Sequence, residues 1–104
     1  MATTLFENQT VDGSSAWFPI ISAGDINLYV SGDLGGGTLT IEALDPGGNT
    51  VLVDGGTITA TGLYLIEAGS FKGRATLAGS TGADVNVYIE VENVATRMSV
   101  RLRT

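Results

Sequence analysis

Apolar and polar residues alternate with a period of two along most of this chain, the pattern of half-buried β-strands. Ile26, Leu28 and Val30 fall on one side of a strand, with Asn27 and Tyr29 on the other. Leu39, Ile41 and Ala43 alternate in the same way with Thr38, Thr40 and Glu42. Val85, Val87, Ile89 and Val91 alternate with Asn86, Tyr88, Glu90 and Glu92, and Met98, Val100 and Leu102 with Arg97, Ser99, Arg101 and Arg103. Each run offers one face to a core and one to solvent, as antiparallel sheets wetted on one side require. The pattern predicts strands over 4–7, 15–21, 25–31, 38–44, 50–54, 62–67, 73–78, 84–92 and 96–103. No segment has helical periodicity, and 57–61 and 93–95 are expected to hold short turns.

Glycine doublets separate the strands. Gly36-Gly37, Gly47-Gly48 and Gly55-Gly56 each precede a β-branched run. Asp45-Pro46-Gly47-Gly48 places Pro and then Gly at the two central positions of a type II turn. Asp54-Gly55-Gly56 and Gly79-Ser80-Thr81-Gly82 read as further reversals, and the segment from Ser31 to Gly37 as the longest flexible connection. Eight or nine short strands in one 104-residue chain fit a single-domain antiparallel β-sandwich, with jelly-roll and immunoglobulin-like topologies both open. Residues 1–12 are a possible N-terminal arm, and 96–103 a basic C-terminal strand.

Composition narrows the function. Only 15% of the residues are charged, against the roughly 25% usual in soluble domains, so part of the surface is expected to be covered by a partner. Residues 1–71 contain acids but neither Lys nor Arg; Lys72, Arg74, Arg97, Arg101 and Arg103 all come later. An acidic body lacks the basic footprint of a nucleic-acid binder and is repelled by anionic membranes. The N-terminal residues have no basic-then-apolar signal pattern, and no apolar run approaches a membrane span. With no cysteine, no disulfide framework supports the fold.

Reactive chemistry is sparse. Neither His nor Cys occurs, which excludes the usual Ser-His and Cys-His nucleophiles and leaves no ordinary zinc site. Gly35-Gly36-Gly37 lacks the Lys-Ser/Thr step of a phosphate-binding loop. Glu90 and Glu92 share a strand face, but neighbours on one strand do not make the cleft of a glycosidase. Asp33, Asp45 and Asp54 sit at turns without the oxygen set that calcium needs, so no cofactor or metal is expected. The arginines of 96–103 are expected to neutralise the glutamates of 84–92 across a hairpin. Glu92 would then face Arg97, Glu90 would face Ser99 and Tyr88 would face Arg101. The same arginines can alternatively reach a neighbouring subunit or an acidic partner. Tyr29, Tyr88 and Trp17, whose neighbour Phe18 must point the opposite way, are the aromatic candidates for contact.

The opening residues Met1 to Thr10, the segment from Tyr29 to Ile41 with its Gly35-Gly36-Gly37, and the run 69–88 with its Asp84-Val85-Asn86-Val87-Tyr88 strand resemble small bacteriophage virion proteins. These are the capsid decoration or cement proteins and related head-fibre and tail modules. The resemblance implies a β-sandwich that assembles with copies of itself, commonly as a trimer. Such a protein binds the major capsid protein on the outside of the head, as part of a virion made in the host cytoplasm. It implies no enzyme and transfers no functional residue set. A carbohydrate-binding sandwich is the expectation from a different class, and it requires a planar aromatic group on one face.

Overall fold

The computed structural model describes residues 2–22 and 24–91. They form nine strands and no helix: β1 (Ala2–Gln9), β2 (Gly13–Ser14), β3 (Phe18–Ile20), β4 (Gly24–Asp33), β5 (Thr38–Leu44), β6 (Thr50–Ile58), β7 (Gly62–Ala68), β8 (Phe71–Ala78) and β9 (Asp84–Val91). One sheet has the order β1-β9-β4-β7. The other has β8 between β5 and the short edge pieces β2 and β3, with β6 beyond β5. Every pairing is antiparallel.

The pairings nest. β1 lies beside β9, β2 and β3 beside β8, β4 beside β7, and β5 beside β6. The described chain is thus one long hairpin, folded again so that β4 meets β9 and β5 meets β8. This is the wiring of a jelly roll, and it decides between the two topologies that the strand pattern left open.

The alternation places the core between the sheets. Ile26, Leu28 and Val30 of β4, and Val85, Val87 and Ile89 of β9, are buried against Leu39 and Ile41 of β5 and Ala75 and Leu77 of β8. Each large side chain removed from water contributes roughly 1.5–3 kcal/mol. No polar or charged residue is buried among the described residues. On β1 the ladder slips between Thr4 and Phe6, so Leu5 is an extra residue and both Leu5 and Phe6 turn inward. Residues 2–9 of the possible arm are therefore a strand of the sandwich.

Several local expectations are corrected. Asp54-Gly55-Gly56 is not a chain reversal but a bulge inside β6. Thr57 pairs with Thr40 and Leu52 with Glu42, leaving residues between them without partners. Gly55 takes φ +79°, and a Cβ on Gly56 would come within 3.0 Å of the Ile41 Cβ, so both positions need glycine. At the Asp45 turn the Gly48 N–H donates to the Asp45 carbonyl at 3.0 Å, but the left-handed residue is Gly48 rather than Gly47. The type II geometry is therefore not adopted. The expected strand 15–21 is interrupted between β2 and β3. There Ser15 leaves the regular ladder while its N–H donates to the Ala75 carbonyl and its Oγ accepts from the Ala75 N–H. Pro19, which has no N–H to give, occupies the edge piece β3.

The connection after β4 is also shorter than expected, because β4 continues through Asp33. Its remaining residues are pinned. Leu34 is buried, Asp33 accepts from the Gly35 N–H at 2.7 Å, and the Thr81 N–H donates to the Gly35 carbonyl at 2.9 Å. Asp12 holds the facing turn by accepting from the N–H groups of Gly79 and Ser80 and from the Ser80 hydroxyl. Those bonds, first that of the Ser80 hydroxyl, hold its carboxyl below the ordinary value.

Candidate functional surface

The outward positions of the β1-β9-β4-β7 sheet follow from the register. Thr4, Tyr88, Tyr29 and Leu63 stand in one row across its four strands. Glu90, Asn27 and Leu65 form the next row, and Asp25 faces Glu67 beyond it. Leu63 and Leu65 are 62% and 63% exposed and Tyr29 is 37% exposed, which makes this an apolar strip with an acidic margin. The Tyr29 hydroxyl donates to Glu90 Oε1 at 3.0 Å, and that bond raises the phenol pKa because it favours the protonated form. Tyr29 and Tyr88, expected to point outward, do so as cross-strand neighbours.

Trp17 belongs to the other face of the sandwich. It lies between β2 and β3, and the Arg74 guanidinium of β8 stacks 4.5 Å from its ring centre. Arg74 Nε also donates to Glu42 Oε1 at 2.8 Å, and the same oxygen accepts from the Thr76 hydroxyl at 2.6 Å. Ser14 and Thr76 share a further hydroxyl contact at 2.8 Å. Thr76 first, and then Arg74, hold the Glu42 carboxyl below its ordinary value against the opposing effect of burial. Phe18 takes the opposite course to Trp17 and packs on the core. Trp17 and the two tyrosines are thus separated by the thickness of the molecule. They do not form the planar group that stacking on a sugar requires.

Arg97, Arg101 and Arg103, together with Glu92 and the strand 96–103, lie outside the described residues. The hairpin register expected for them is nevertheless overturned by β9 itself. Tyr88 is flanked by Thr4 on one side and Tyr29 on the other, and Glu90 by Ala2 and Asn27. Both edges of β9 are occupied, so Tyr88 cannot pair with Arg101 or Glu90 with Ser99. Sequence proximity suggested a neighbour whose place the nested wiring gives to β1 and β4.

Leu63 and Leu65 were not singled out by the sequence pattern. Leu63-Tyr64-Leu65-Ile66 is apolar at every position and shows no alternation. The available signal was the strand period alone, since buried Ile66 forces its neighbour Leu65 outward. Gly32, Asp33, Leu34 and Gly36 border a surface hollow beside 59–61. Among the described residues no three acidic side chains gather where they could hold a metal ion. Comparison with protein-family models, with curated proteins and with solved structures found no match to this chain.

Proposed function

We propose that this chain is a structural virion protein, a capsid decoration or cement protein that associates with copies of itself and braces the outside of a phage head. One observation supports the reading most directly: Leu63, Leu65, Tyr29 and Tyr88 form an apolar strip on the outer surface of a regular sheet. A protein that works by contact needs area and shape, and aromatic residues with exposed leucines supply both at little entropic cost. Repetition by symmetry then makes modest individual contacts strong in sum. The partners in this reading are further copies, most simply in a trimer, and the major capsid protein. The site of action is the virion surface. No reaction is assigned to the chain.

The test is a mass measurement in solution followed by co-sedimentation with phage heads stripped of their outer proteins. The expected result is a mass that is a multiple of the 10.7 kDa chain, together with saturable binding to heads. Replacing Leu63 and Leu65 by Ser weakens the head binding while leaving the fold intact. A monomer at high concentration that never sediments with heads would refute the proposal.

A further inference from the structure

We propose that the Asp54-Gly55 step in the β6 bulge is a modification site, where the main chain isomerises spontaneously to isoaspartate through a cyclic imide. The inference goes beyond the virion reading and does not depend on it. Its chemistry starts from residue types. The carboxyl of an aspartate can be attacked by the backbone nitrogen of the residue that follows, and glycine crowds that nitrogen least because it has no Cβ. Two steps in the chain have this composition, Asp12-Gly13 and Asp54-Gly55, and no Asn precedes a Gly. Asn27, Asn49 and Asn86 precede Leu28, Thr50 and Val87, whose branched side chains shield the nitrogen.

The reaction needs no reagent other than water. The Gly55 nitrogen loses its proton and bonds to Asp54 Cγ, while the carboxyl hydroxyl leaves with that proton as water. Water then adds to either carbonyl of the five-membered imide. Breaking the new bond to Cγ restores aspartate. Breaking the original peptide bond instead leaves Gly55 joined through Cγ and frees the α-carboxylate, so the main chain gains one atom at this point.

The fold treats the two steps differently. Both aspartates are exposed, so access to water does not separate them. The Asp12 carboxylate accepts from the N–H groups of Gly79 and Ser80, each at 3.0 Å, and from the Ser80 hydroxyl. It must give up charge-assisted bonds before it can turn onto the Gly13 nitrogen. The same bonds hold its carboxyl below the ordinary value, which depletes the acid form that sheds water. Gly13 is itself fixed in the ladder opposite Leu77. Asp54 and Gly55 instead lie where the β6 register jumps, between the pairs Leu52–Glu42 and Thr57–Thr40. Closing the ring requires the peptide plane between them to turn, which changes ψ of Asp54 and φ of Gly55 in opposite senses. Gly55, at φ +79°, accepts either sign of φ, and a Cβ on it would meet nothing within 4 Å. The plane can therefore turn inside the bulge while the regular pairs on either side stay closed.

The full chain, kept folded in neutral buffer for weeks, is probed with an isoaspartyl methyltransferase and a labelled methyl donor, and the labelled positions are located by peptide mapping. Label at residue 54 is expected to exceed label at residue 12 about ten-fold, which corresponds to about 1.4 kcal/mol in barrier. A chain aged in urea, where neither step is held, is expected to carry similar label at both. Asp54→Glu keeps the charge at an exposed position but would have to close a larger ring, so it loses the label at 54 and keeps the fold. Ser80→Ala removes one donor from Asp12 and is expected to raise the label at 12 about three-fold. Equal label at 12 and 54 in the folded chain would overturn the proposal. So would a folded chain unlabelled at 54 whose urea-aged counterpart is labelled there, or label at 12 unmoved by Ser80→Ala. Failure to bind phage heads would touch only the virion reading.

Discussion

The two outer faces of this sandwich are built from the same pleated geometry and finish differently. On the five-stranded sheet, Ser14, Thr76, Glu42, Arg74 and Trp17 form one continuous chain of contacts, so each polar group is answered by the next. On the four-stranded sheet, Leu63 and Leu65 stand more than 60% exposed beside carboxylates, with the Tyr29 hydroxyl bonded to Glu90. This polar cluster is satisfied within the fold, although Leu52 of β6, opposite Glu42, stands 66% exposed beside it. The second face joins two exposed leucines and two tyrosines into one strip with acidic groups at its margin. The two faces thus differ in whether their polar side chains answer one another in a connected cluster.

The comparison breaks most severely where the faces share a core. Leu28→Ala from one sheet and Leu39→Ala from the other are each expected to cost about 2–5 kcal/mol in urea unfolding, because both side chains are fully buried and leave cavities. Unequal losses, with one substitution nearly neutral, would mean that the two sheets do not depend equally on one core.

The next effect belongs to the polar cluster of the five-stranded sheet. Glu42→Ala is expected to cost about 1–3 kcal/mol, since it removes the acceptor shared by Arg74 and Thr76. Its pH dependence has a definite sign. The folded carboxyl is held below its ordinary value, so on acidification the unfolded chain takes up the proton first. The stabilisation is complete above the ordinary carboxylate range and disappears as the pH falls through the lowered folded value. Glu42→Gln should flatten that acidic limb in unfolding curves measured at a series of pH values; an unchanged limb would remove Glu42 from the account.

The smallest stability effect is expected on the open face. Leu65→Ser should shift stability by no more than about 0.5 kcal/mol, because the side chain is already largely in water. A thermal unfolding scan checks this, and a loss of several kcal/mol would show that Leu65 serves the fold rather than contact.

Much of this architecture was legible in the residues. β5 occupies 38–44 as the alternation predicts, and β9 begins at Asp84 as expected. The inward set of β4 and β9 follows directly from the period of two. Partner choice was not legible, because a strand's period fixes which face is buried and says nothing about its neighbours. That is why the hairpin of 84–92 with 96–103 looked natural and is excluded. Gly55-Gly56 misled for a related reason: the same dipeptide that closes a turn also permits a bulge, and only the close approach to Ile41 distinguishes them. The exposed strip was hidden by composition, since Leu63 and Leu65 alternate with residues equally apolar.

The position of β9 has a consequence for biosynthesis. It lies between β1 and β4, so the sheet it completes has no middle until residues 84–91 have been translated. Before then β1 has no strand to join, and Leu5 and Phe6 lack the wall formed by Val87 and Ile89. Assembly therefore waits on the ribosome, and the nascent polypeptide carries uncovered strands through most of its elongation.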